Sequence, residues 1–102
     1  SIVAQTPGAI SYLAFAYLDD SIKTIKLNGF EPTTENVSTN DWPIWSYEHM
    51  YTKGEADGLT KEFLDYMYSE EVQESIVVSM GYISINQMKV EKSADGVVSV
   101  KE

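Results

Sequence analysis

Cysteine is absent from the 102 residues, and so is arginine. Without thiols the chain can form no disulfide, hold no cysteine-ligated metal and carry out no thiol catalysis. That absence fits an extracellular setting as well as a cytosolic one. The seven basic residues, all lysines, stand against sixteen acidic ones for a formal charge of -9. So acidic a surface repels phosphate backbones, which argues against nucleic acid as a partner. No apolar run approaches the roughly 20 residues that a bilayer-spanning helix needs. What is present is a hydrophobic fraction of 43% with 12% aromatic residues, the composition of a folded chain rather than a disordered one.

The stretch around which the rest of the chain is organised is DWPIWSYEHMYTKG, Asp41 to Gly54. One alternating set is Trp42, Ile44, Ser46, Glu48 and Met50, and the other is Pro43, Trp45, Tyr47, His49 and Tyr51. Large apolar side chains fall in both sets, which predicts a central strand covered on both faces. Pro43 has no N–H to donate, so pairing is expected from about Ile44 onward. Ser46, Glu48 and His49 break the apolar run in its middle, as suits a strand that crosses an open gap between two packed bodies.

Along the rest of the chain the local signals are mostly short. Ser1–Gln5 reads as the last turn of a helix lacking a preceding cap, ended by Thr6-Pro7-Gly8. Ala9–Leu13 reads as an apolar strand, and Ala14–Leu18 as its continuation or one helical turn. Ile22–Leu27 alternates as a surface strand and meets the tight turn Asn28-Gly29. The polar connector Glu31–Asn40 has Thr33 or Thr34 to cap one helical turn. Leu59, Phe63, Tyr66 and Met67 recur at helical spacing. A second helix is expected from Ser69, with Glu70 and Glu71 in its first turn, Val72, Ile76 and Met80 on one face, and Gly81 as its stop. Tyr82–Ile85 reads as a short extended piece, and Met88–Val100 as a hairpin turning at Asp95-Gly96.

No constellation of catalytic residues emerges. His49 is the single histidine, and Ser46 and Glu48 lie on the opposite face of the same predicted strand, so no nucleophile–base–acid series forms. Lys53 and Leu64 occupy the first and twelfth places of a would-be calcium loop, where carboxylates are required. Asp19-Asp20 and Glu70-Glu71 are better explained as a solvated turn and a dipole-compensated helix start than as paired catalytic carboxylates. Tyr12, Phe15, Tyr17, Trp42, Trp45, Tyr47 and Tyr51 could line a sugar cleft, but packing between strands is the simpler role. Asn36-Val37-Ser38 fits a glycosylation sequon. No enzymatic activity, metal or cofactor is expected.

Four segments in order carry a resemblance: PGAISYL, NGFEPTTENV, DWPIWSYEHMYTKG and EFLDYMYSEEVQESIVVSMGYI. Together they resemble the C-terminal part of the phosphate-binding proteins of bacterial phosphate ABC importers, with Ser11 where that family usually has glycine. The resemblance implies an α/β fold, part of a two-lobed periplasmic-binding-protein type II architecture with a central mixed sheet and flanking helices, incomplete in this chain. Residues 1–40 would belong to lobe two, 41–53 would be the returning hinge strand, and 54–102 would complete lobe one with two helices and a terminal hairpin. Trp42, Pro43, Ile44, Ser46, Glu48 and His49 would form the hinge. The family's phosphate ligands would lie in segments before Ser1, so none is assigned to this chain. The implied partners are inorganic phosphate and the membrane subunits of an ABC permease, and the implied location is extracytoplasmic, with a lipid anchor. A receptor for another oxyanion or small polar solute fits the same segments, and so does a free-standing surface interaction domain. On the resemblance, the chain alone would expose apolar surface and self-associate or exchange strands.

Overall fold

Asn28 and Gly29 both have positive φ, 50° and 86°. This is the backbone of the two-residue turn that matches strand twist, and Asn and Gly adopt it at least cost. Leu27 and Phe30 accordingly exchange both backbone hydrogen bonds at 2.9 Å. The computed structural model describes residues 1–102 and shows a mixed helix and strand chain with one small antiparallel sheet.

The helical elements follow their capping chemistry. In α1, Ile2–Gln5, the Ser1 hydroxyl accepts from the Ala4 N–H, so the turn has a cap of its own, where the sequence reading expected none. Phe15–Tyr17 forms one 3₁₀ turn. Thr33 caps α2, Thr34–Ser38, through the Asn36 N–H, and Gly58–Met67 forms α3. Residues 70–79 are helical and contain a π-helix over Val72–Val77. Gly81, at φ 82°, ends that helix as expected.

The expected buried face is met at one residue of three. Val72 is 2% exposed and Val77 is half-buried, while Ile76 and Met80 are 44% and 59% exposed, and a π-helix over Val72–Val77 runs through this stretch. Four β-branched residues among 72–78 weaken the α geometry there.

Val90–Lys92 (β1) and Val98–Val100 (β2) form the predicted terminal hairpin, with Val90 opposite Val100 and Lys92 opposite Val98. The Ser93 hydroxyl donates to the Asp95 carboxylate and holds its carboxyl below the usual range. A depressed folded-state value stabilises the loop above the unfolded value of 3.8 and is lost as pH falls through the folded one. Loosening of residues 93–97 below pH 3.8, followed by amide chemical shifts, is expected and should vanish in Asp95→Asn.

Buried side chains are few: Val37, Ser38, Val72, Ser84, Met88 and Val90. The hairpin is tied to α2 by the Lys89 N–H donating to the Ser38 carbonyl at 3.0 Å, and Lys101 Nζ reaches the Ile85 carbonyl at 2.9 Å. The accessible surface is 8173 Å², against about 5,800 Å² for a compact monomer of this mass. The radius of gyration, 16.4 Å, likewise exceeds the roughly 13 Å of a compact domain of this length. The difference lies in apolar side chains left open along 9–18, 42–51 and α3, including Ile10, Tyr12, Ile44, Leu59 and Phe63.

The central-strand expectation is not met within these residues. Residues 42–52 make no strand ladder, because no neighbouring strand in this chain lies alongside to take their backbone groups, and the Trp45 N–H turns back to the Pro43 carbonyl at 3.1 Å. Ala9–Leu13 and Ile22–Lys26 are unpaired for the same reason. Core packing is also absent for Tyr12, Tyr17 and Tyr51, which are all exposed.

Candidate functional site

The segment read as a hinge is fixed at one end and open at the other. Asn40, at φ 66°, places its side-chain oxygen to accept from the Trp45 indole N–H at 2.8 Å. The Trp42 N–H donates to the Asn36 carbonyl at 3.0 Å, and the Trp42 indole reaches toward the Ile25 carbonyl at 3.4 Å. These bonds seat the start of the segment on the C-terminal end of α2.

From Trp45 the alternating set becomes a ladder of rings, as one face of extended backbone requires. Trp45 and Tyr47 meet edge to face with centroids 5.3 Å apart, as do Tyr47 and His49 at 6.2 Å, while His49 and Tyr51 are tilted by 36° at 6.0 Å. Edge-to-face pairs of this kind favour a fixed mutual orientation.

Lys92 of β1 grips the first two rungs. Its Nζ donates to the Trp45 carbonyl at 2.6 Å and lies 3.9 Å from the centre of the Trp45 ring, while its backbone N–H donates to the Tyr47 hydroxyl at 3.3 Å. A cation over an indole face is attracted by the ring quadrupole, most strongly where water is partly excluded. Nothing in the sequence marks Lys92 for this role, since its partners lie 45 and 47 positions away. The alternation that puts Trp45 and Tyr47 on one face was legible.

Of the residues expected at the hinge, Trp42 is half-buried, and Pro43, Ile44, Ser46, Glu48 and His49 are exposed. His49 sits between the Tyr47 and Tyr51 rings without a hydrogen bond. Tyr82 sits where the neighbouring Tyr17, loss of water and the Glu48 carboxylate together push its phenol above the ordinary range. No group of three or more His, Asp or Glu side chains gathers as a metal site, and no helix is long and apolar enough to cross a membrane. Surface depressions lie elsewhere, one between residues 3–9 and 21–23 and another along 23–26 and Glu31.

No protein-family model matches the chain. Among characterised proteins it is 55% identical over 96 residues to "Phosphate-binding protein PstS" of Bacillus subtilis (strain 168), an alignment covering 93% of this chain and 32% of that protein. It is 31% identical over 88 residues to "Phosphate-binding protein PstS 2" of Streptococcus agalactiae serotypes V and III, covering 85% of this chain and 30% of each relative. The chain thus spans about a third of the length of the relatives it matches. Across nearly all of its residues, this chain is homologous to a part of the phosphate-binding protein PstS.

Proposed function

We propose that these residues serve within a phosphate receptor that works outside the cytoplasm and delivers inorganic phosphate to the membrane subunits of an ABC importer. The observation that carries the reading is the 55% identity to a phosphate-binding protein over 93% of the chain. In this reading the architecture is two-lobed, of the periplasmic-binding-protein type II class. Residues 1–40 contribute to one lobe, 54–102 to the other, and 41–53 to the connection between them. The open apolar stretches along 9–18 and 42–51 are then surfaces that the remaining strands of the receptor cover. The receptor sits at the cell surface on a lipid anchor.

The chemistry of this chain supports a binding and closing role more than a gripping one. With a formal charge of -9 and no arginine, it offers no cationic cradle, and a dehydrated phosphate is better held by converging N–H and O–H donors supplied elsewhere in the receptor. The relative that carries the reading is named as a binding protein.

Titration calorimetry of the intact receptor with phosphate and with sulfate tests the reading. Saturable heat with phosphate at one site and none with sulfate is expected. Tight sulfate binding without phosphate heat would assign the receptor to another oxyanion, and silence with both would reject the oxyanion class.

A further inference from the structure

In the turn at Asn28-Gly29 the hydrogen bonds run between the flanking residues, Leu27 and Phe30, and the peptide unit joining Asn28 to Gly29 takes part in neither. That is a property of the two-residue loop itself, whose bonds close outside its two central residues. Both central residues are exposed, and nothing stands within 4 Å of where a Gly29 Cβ would be. The φ values of 50° and 86° are those of one mirror-image turn. The other mirror-image turn keeps φ near +60° at the first residue, with ψ there at about −120° and φ of the second residue at about −80°. Rotation of the central peptide unit alone converts one into the other, and glycine accepts either sign of φ at little cost. No bond between Leu27 and Phe30 need break. In the rotated form the Asn28 Cβ eclipses the Gly29 nitrogen, the arrangement that a five-membered ring through Cγ demands.

The other asparagines are held. Asn36 Nδ2 donates to the Glu31 carbonyl at 2.9 Å, and the next N–H, of Val37, donates to the Thr33 carbonyl at 2.9 Å. Asn86 Nδ2 donates to the Glu74 carboxylate at 2.9 Å, and the Gln87 N–H to the Ser84 carbonyl at 3.0 Å. The Asn40 side chain accepts from the Trp45 indole at 2.8 Å, and Asp41 after it carries a Cβ that crowds its nitrogen. Asn28 alone combines an unbonded side chain with a following glycine. The pairs Asp57-Gly58 and Asp95-Gly96 have no ammonia to release.

We propose that Asn28 is a site of spontaneous covalent modification, at which the Gly29 backbone nitrogen closes on the Asn28 side chain and ammonia leaves. Hydroxide from solvent takes the Gly29 amide proton. The nitrogen forms a bond to Cγ, the Cγ–Nδ2 bond breaks, and the leaving nitrogen takes a proton from water to depart as ammonia. The product is a succinimide, with no change in oxidation state. Water then opens the ring by adding to either carbonyl carbon and breaking its bond to the Gly29 nitrogen. Addition at Cγ gives aspartate, and addition at the Asn28 backbone carbon gives isoaspartate, through whose side chain the main chain then runs. Either product adds one negative charge to an already acidic chain. Isoaspartate also lengthens the backbone by one carbon, and a two-residue loop so stretched no longer holds Leu27 opposite Phe30.

The test incubates the intact protein at mildly alkaline pH and follows its peptides by mass spectrometry, with isoaspartyl methyltransferase labelling to separate isoaspartate from aspartate. An acidic species should accumulate with first-order kinetics, and both products should map to Asn28. The rate there should exceed that at Asn36, Asn40 or Asn86 by roughly tenfold or more, since glycine alone leaves the attacking nitrogen unhindered and free to rotate. Asn28→Gly keeps a residue at ease with positive φ and should abolish the acidic species. Gly29→Ala should slow its formation by about tenfold. Deamidation spread evenly over the four asparagines would overturn the proposal. So would a rate at Asn28 in the folded protein roughly tenfold or more below that in the same protein unfolded in urea, because the turn would then have to open before the ring could close.

Discussion

Gly81→Ala is expected to cost about 2–4 kcal/mol of stability, the largest loss among the six glycines, since only there does an added Cβ meet other atoms. Two independent penalties meet at the position. Its φ of +82° lies in the left-handed region, where a residue with a Cβ is strained by roughly 1–3 kcal/mol. A Cβ built there would also stand 2.8 Å from the Cα of Ala16 and 3.2 Å from its N, atoms of backbone that cannot rotate away. Overpacking of this kind costs about 1–3 kcal/mol when the neighbour must shift. The sum has a ceiling, because the 3₁₀ turn Phe15–Tyr17 can lift off Gly81 once the clash exceeds what that contact contributes.

Gly96→Ala supplies the control. Gly96 has nearly the same φ, +85°, yet a Cβ there meets nothing within 4 Å. It therefore reports the backbone penalty alone, about 1 kcal/mol or somewhat more. Urea unfolding of the intact protein should place Gly81→Ala at least 1 kcal/mol below Gly96→Ala. Equal losses would mean that the contact with Ala16 contributes nothing. Lift-off of the turn has its own signature, since Tyr17 is what chiefly raises the Tyr82 phenol. A spectrophotometric titration of Gly81→Ala should then show the Tyr82 value returning toward 10.0.

Short-range chemistry was largely legible in the sequence. Asn28-Gly29, the Thr33 cap, α3, the Ser69 start, the Gly81 stop and the Asp95-Gly96 turn each depend on residues within about four positions of one another, and each formed where the residues dictated. The phase of the helix after Ser69 was not legible. Periodicity marks which side chains can share a face but not which of them finds a neighbour to pack on: Val77 is half-buried, while Ile76 is exposed. Residues 42–51 posed a different problem. Their alternation predicts which side chains share a face, and the ring ladder from Trp45 to Tyr51 obeys it. Alternation does not supply the strands that would cover both faces, so the expected two-sided burial has no counterpart among these residues. Lys92 was invisible for the remaining reason: a long-range pairing of one lysine with one indole leaves no periodic trace.

Glu74→Ala is the second large effect expected, about 2–3 kcal/mol. Gln73 and Glu74, both within the π-helix Val72–Val77, reach the 84–86 turn. Gln73 accepts from the Ile85 N–H at 3.0 Å and donates to the Met67 carbonyl at 2.8 Å, while the Glu74 carboxylate accepts from the Ser84 hydroxyl at 2.8 Å and the Asn86 amide at 2.9 Å. Glu74 itself is exposed and would contribute little if its partners were also in water. Ser84, however, has no exposed surface at all, so its hydroxyl proton has no solvent to turn to when the carboxylate is removed. Leaving such a donor unpaired costs roughly 1–3 kcal/mol, and loss of the charge-assisted bond to Asn86 adds to it. Glu74→Gln keeps an oxygen for both donors and should lose less than about 1 kcal/mol. Ser84→Ala removes the buried donor itself, so adding Glu74→Ala to it should cost at least 1 kcal/mol less than Glu74→Ala costs in wild type. Unfolding midpoints of the four proteins in that cycle decide the point: additive losses would show that the carboxylate and the buried hydroxyl do not depend on each other.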